Sequence, residues 1–296
     1  MRRSGISRVA AVSSVLIALA AASASGLDLG LQTWAGNLGF ATDRTSTDTR
    51  FPGSHYFWGL SLYGSQPITD KFGFETGFYS DPLLRNISYT LFSYNEKVIS
   101  FGVGPFFGLF NDRGTLLKSG ISTSVKLELP GVVFVSLRSD SSIGGALVQE
   151  GDYLQQRDDI SLGFYVQNAI CTLSLDTRKF EQKTDVDTVV DSLTIYSFAT
   201  DIFQKNVPYR LIVKFSYQSL SREFVTGAVT ATLNSLVLGT EVEITMTGST
   251  VLQAGIEGSV YSFGQGTLVG SSEAFLFRTY AGVKVNVDSL PFMSRL

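Results

Sequence analysis

The sequence predicts an all-β chain, a transmembrane antiparallel β-barrel of fourteen strands, with twelve to sixteen also compatible with its length of 296 residues. Three observations carry that prediction. Stretches of about ten residues alternate between apolar and polar side chains, the period that sends successive residues to opposite faces of a strand. Hydrophobic residues make up 44% and charged residues 17%, and the mean hydropathy is +0.18. That is too apolar for an ordinary secreted domain, yet no stretch beyond the N-terminus approaches a membrane helix. Glycine is abundant at 29 residues, aromatics reach 12%, and proline stands at only 7, a mixture suited to many strands and tight turns. The net charge of −3 gives no electrostatic footing for nucleic acid, which is excluded as a partner.

The clearest strand is 209–218. Tyr209, Leu211, Val213, Phe215 and Tyr217 share one face, and Arg210, Ile212, Lys214, Ser216 and Gln218 share the other. The two tyrosines stand roughly 26 Å apart along an extended strand, close to the height of an apolar band bounded by aromatic girdles. The same alternation also suits a soluble sandwich with its apolar face turned inward.

The N-terminus reads as an export segment. Arg2, Arg3 and Arg8 precede an apolar run over 9–21 and the small residues Ala22, Ser23 and Ala24, the layout of a cleaved secretory signal peptide. Residues 1–24 are assigned to it and 25–296 to a single barrel domain. The lone Cys171 has no internal partner for a disulfide and lies far from the cleavage site, so no lipid is expected there.

Taken in order, 27–40 is a first strand whose phase slips near Trp34, and 41–55 is a polar loop. Strands follow at 56–63, 72–78, 87–94 and 98–109. The cleanest hairpin is 121–138, folded at Pro130 and Gly131. Residues 139–157 form the longest polar stretch, 160–167 and 171–178 the next hairpin, and 180–191 a charged loop. A less regular strand at 193–202 leads into 209–218, followed by 225–233, 236–246, 251–263 and 275–287, with a Gly/Ser loop at 264–273. That is fifteen candidates where a single-chain bacterial barrel has an even number, so one is miscounted, near Leu193 or among the last three. Short turns and long polar loops mostly alternate, as they do when the two ends face different compartments.

A sandwich of so many strands would need a more charged exposed face. The polar faces here instead carry glycines (Gly59, Gly73, Gly77, Gly163, Gly239 and Gly282), expected to leave space above the wall. They also carry charges of both signs: Lys126, Glu128, Arg138, Asp176, Arg178, Arg210, Lys214, Glu241, Glu243, Arg278 and Lys284. That is the composition of a wetted interior.

With its export segment, ten-residue alternating strands, aromatic strand ends and asymmetric loops, the chain resembles bacterial outer-membrane β-barrel proteins, in length the porin-like ones. The resemblance is architectural and spans the mature chain. It implies the bacterial outer membrane as location, with outer-membrane lipid, the barrel-insertion machinery and small solutes as partners, and an extracellular partner through the loops as a further one. Such proteins usually end on an aromatic residue, whereas this chain ends Met293, Ser294, Arg295, Leu296, with Phe292 nearby.

No catalytic, metal or cofactor site is expected, and the chain is read as no enzyme. His55 is the only histidine; a barrel hydrolase needs a nucleophile and an orienting group beside it, and no neighbouring stretch supplies them. Asp185, Asp187 and Asp191 lack the spacing of a calcium loop. The functional expectation rests on the inner charges. Lys126, Glu128, Arg138, Arg210, Lys214, Glu241, Glu243, Arg278 and Lys284 either line an aqueous path for small hydrophilic solutes or pair across strands and fill a closed lumen. Alternatives are uptake of a hydrophobic molecule, with 27–40 as a plug, and a surface barrel acting through 139–157 and 180–191.

Overall fold

The computed structural model describes residues 26–37, 57–110, 116–142, 153–183, 187–204, 207–226, 229–247, 249–265 and 275–287. The expected export segment, the loop 41–55 with His55, most of 264–273 and the C-terminal 288–296 lie outside them. Fourteen strands run β1 (Asp28–Gly36), β2 (Phe57–Pro67), β3 (Phe72–Asp81), β4 (Arg85–Asn95), β5 (Ile99–Phe110), β6 (Leu116–Leu129) and β7 (Val133–Ser142). They continue as β8 (Tyr153–Val166), β9 (Ala169–Lys183), β10 (Thr188–Phe203), β11 (Tyr209–Phe224), β12 (Val229–Thr247), β13 (Thr250–Gln265) and β14 (Phe277–Asn286). Each pairs antiparallel with its neighbours in sequence, and β1 pairs with β14. Closure satisfies every strand edge, which is what lets a sheet stand in lipid.

The polarity of the two faces settles barrel against sandwich. Leu31, Phe101, Val125, Leu137, Phe164, Leu173, Phe215, Leu238 and Ile256 all point outward and exposed, while the charges face the interior. Aromatic pairs sit along the outer surface, with Phe72 against Tyr94 at 5.3 Å and Tyr196 against Tyr217 at 6.4 Å between ring centroids. At the 121–138 hairpin, Gly131 takes φ 74° and Val132 N–H donates to the Leu129 carbonyl at 3.0 Å. This is a type II turn, with proline and glycine in the positions that fit them.

Three sequence expectations need correction. Residues 229–233 of the segment 225–233 and the segment 236–246 are one strand, β12. Its inward residues change from Ala231 and Leu233 to Gly239, Glu241 and Glu243 along its length, so the apolar phase flips near Asn234 and Ser235 while the pairing continues. Trp34 marks no slip: it continues the inward phase of Gly30 and Gln32 and is buried, and β1 is a wall strand, not a plug. The polar stretches 139–157 and 180–191 are strand at both their ends, because β7, β8, β9 and β10 extend into them, while 143–152 and 184–186 lie outside the described residues.

Those extensions obey a different rule from the rest of the wall. Leu137, Ile160, Leu175, Tyr196, Tyr217 and Leu236 are successive partners on one rung across β7 to β12. Toward the long-loop end from that rung, the next outward residues are Ser139, Asp158, Thr177, Thr194, Ser219 and Asn234. On β9 to β12 inward positions become apolar at Phe180, Leu193, Leu220 and Leu233, while Asp140, Arg157 and Arg178 stay charged on β7 to β9. Outside lipid the chain reverts to the apolar-in, polar-out pattern of a water-exposed sheet.

Candidate functional site: the lumen

The reversal builds a stopper. The β3–β4 turn bends into the barrel, held by Leu83 and Leu84 N–H groups donating to Asp81 Oδ1 at 2.8 and 2.7 Å. Leu83, Leu84, Ile87 and Phe106 from that side meet Phe180, Leu220, Ala231 and Leu233 from β9, β11 and β12. In a ring of fourteen, β4 and β11 are diametrically opposed, so this apolar cluster crosses the lumen. Gln155 on β8 donates to the Leu84 carbonyl, and Asp191 and Arg222 form a buried ion pair in the same layer at 2.7 Å.

Beneath the stopper the interior is charged, in two networks. On one side Arg178 pairs with Asp81 and, at 2.7 Å, with Asp176, which also takes Arg157 at 3.0 Å. Arg138 bridges Glu75 and Asp140, each at 3.3 Å, and lies 4.1 Å over the Tyr89 ring. On the other side Glu257 takes Arg278 and, at 3.5 Å, Lys214. Glu243 takes Lys284 and, at 3.6 Å, Arg210, which also holds Asp201. Glu241 accepts from Tyr280 Oη at 2.7 Å. Nearer the short-turn end, Lys126 pairs with Glu128, which also accepts from Tyr165.

Each of the nine residues named from the sequence for the lumen lies on the charged face of its strand and is held by a partner there. Between the two networks lies a cavity of about 330 Å³, bordered by Trp34, Arg157, Arg178, Glu241, Glu257 and Tyr280. Glu75, Asp81, Asp140, Arg157, Asp201 and Glu257 were not expected there. Glu257 and Asp201 share the period-2 phase of their strands' polar faces, a signal that was legible. Asp140 and Arg157 were hidden in a stretch whose outer face is also polar.

The expected space above the glycines is filled. A Cβ on Gly59 would stand 2.4 Å from the Trp34 ring, one on Gly77 2.4 Å from Tyr89, and one on Gly163 2.1 Å from Phe134. Each glycine admits a neighbouring strand's ring flat against the wall. Of the acidic residues weighed for calcium, Asp187 accepts from Thr188 and Thr226 N–H at 2.6 and 2.7 Å. Asp191 faces inward to Arg222, and Asp185 lies outside the described residues.

No protein-family model matches the chain, and no curated protein matches it in sequence. Solved structures do match in fold. A Pseudomonas aeruginosa FadL homologue aligns with TM-score 0.53 and 6% identity over 88% of this chain and 90% of its own. A loop L8 deletion mutant of the Vibrio cholerae outer membrane protein OmpT aligns with TM-score 0.43 and 9% identity, over 88% and 97%. A Salmonella typhi OmpF complex with daunomycin gives TM-score 0.43 and 9%, over 88% and 97%. This chain is an outer-membrane β-barrel. The closed ring, the apolar outer belt and the charged interior are consistent with that setting, and the resemblance stands at the level of the class.

Proposed function

We propose that this outer-membrane barrel is a channel for small hydrophilic solutes, closed at its long-loop end by the Leu83–Leu84 turn and performing no chemistry of its own. The observation that supports it is the cavity of about 330 Å³ between two charged networks. A ring of fourteen strands encloses more space than side chains readily fill, and here the space left over is polar. The stopper is a short turn and not a domain, so a local displacement opens the path. Residues 1–24 act as the export signal in the same reading.

Planar-bilayer conductance of the refolded mature chain tests it. The wild type is expected to open rarely. The Leu83→Ser/Leu84→Ser variant is expected to give steady stepwise currents, and adding Glu257→Gln to shift their selectivity toward anions. Silence from a variant shown to have inserted removes the channel reading.

A further inference from the structure

One rung of the inner wall carries two aromatic rings side by side. Trp34 on β1 and Tyr280 on β14 are direct register partners, flanked by Gly59 on β2 and Gly255 on β13. Each ring leans away from the other and lies over its glycine: added Cβ atoms would stand 2.4 Å from Trp34 and 2.3 Å from Tyr280. The polar tips are tied one strand further out, Trp34 Nε1 donating to the Ser80 carbonyl at 3.2 Å and Tyr280 Oη to Glu241 Oε2 at 2.7 Å. The result is an aromatic floor from β13 to β2, about 14 Å of wall by strand spacing. Both rings border the cavity.

The groups around that floor are balanced in charge. Arg157, Arg178, Lys214 and Arg278 face the cavity, and their carboxylate partners are Asp81, Asp176 and Glu257, with Glu241 beside them. An incoming anion would have to displace a carboxylate, and a cation would have to displace an arginine. A ligand that suits all of this accepts from guanidinium, donates to carboxylate, carries no net charge and lays an apolar face on a ring. A pyranose does each: its hydroxyls donate and accept, and its C–H face sheds water against the electron-rich face of an aromatic ring.

We propose that the lumen holds a binding site for a neutral sugar, with Trp34 and Tyr280 as its platform and Arg157, Arg278, Glu241 and Glu257 as its hydrogen-bonding rim. The cavity, at about 330 Å³, is large enough to admit one sugar ring. This rests on the channel reading for the route by which the sugar arrives, and it names the solute class.

The chain has two tryptophans, and Trp58 is 80% exposed on the lipid face. Trp58→Phe therefore leaves Trp34 as the sole reporter. The refolded variant is titrated in detergent with glucose, glucuronate and glucosamine, which share a ring and differ in charge. Glucose is expected to give a saturable change in emission, with the two charged sugars at least about tenfold weaker. Tyr280→Leu is expected to weaken glucose about tenfold, the size of one lost aromatic contact. Tyr280→Phe, which keeps the ring, should stay within about threefold and controls for folding. No saturable response to glucose, an unchanged response in Tyr280→Leu, or tighter binding of either charged sugar overturns the site. Liposome swelling in glucose, carried out with the Leu83→Ser/Leu84→Ser variant, separates the two readings: swelling without saturable emission overturns the site alone, and saturable emission without swelling supports the site and removes the channel.

Discussion

On β9 two rules meet within a few residues. Leu173 points outward and is half exposed, Phe180 points inward and is 1% exposed, and the same strand carries both. Toward the short-turn end the solvent outside is hydrocarbon, so apolar residues face out and charges face in. Toward the long-loop end both sides of the wall meet water unless the interior fills itself, and the residues of β9 to β12 fill it with a core. The difference teaches that inward and outward have no fixed polarity in a barrel; the surrounding medium assigns it at each height.

Removing a side chain from each region separates them most sharply. Phe180→Ala is expected to cost about 3–5 kcal/mol, as a large apolar truncation in a packed core does, while Leu173→Ala costs a small fraction of that because lipid tails fill the gap. Urea unfolding of refolded protein in vesicles measures both, and equal losses would show that the stopper is not a packed core.

Placing a charge on the outer face gives the next largest contrast. Val213→Arg, midway between Tyr209 and Tyr217 on β11, is expected to destabilise by about 2–4 kcal/mol. Ser219→Arg, one outward position beyond Tyr217, should stay within about 0.5 kcal/mol. A comparable cost at Ser219 would move the edge of the apolar belt past the Tyr196–Tyr217 pair.

The smallest effect lies outside the membrane altogether. In the short turns, Lys71 and Glu96 form an exposed ion pair. The hydrogen bond from Lys71, then that from Tyr94, then the Lys71 charge lower the Glu96 carboxyl from its ordinary 4.5. A lowered carboxyl contributes stability above its unfolded value and loses it as pH falls through the folded one. Glu96→Gln should therefore flatten the acid limb below pH 4.5 slightly. The Lys71 ammonium is raised by the same partner, so its share is full below 10.5 and fades only as pH rises through the folded value. A steeper acid limb in Glu96→Gln would contradict the pairing.

Much of this was legible in the chain. Strands such as 121–129 and 209–218 announce themselves because one medium bathes their whole outer face, so a period of two persists from end to end. The strand at 193–202 read as irregular, and β12 read as two strands, for one reason: each crosses the level where the medium changes, and its apolar phase flips there. Leu193 faces in and Tyr196 faces out, which a single-phase template cannot accommodate.

The site divides in the same way. That Lys214, Arg278 and Glu241 face the interior follows from alternation alone, a local property of a strand. That Arg178 meets Asp81, that Leu84 meets the far wall, and that Trp34 and Tyr280 become one floor depend on ring closure and stagger. These set which of fourteen strands stand side by side or opposite, a long-range outcome that no stretch of sequence encodes by itself. Residue order determined the faces; closure of the sheet decided what they face.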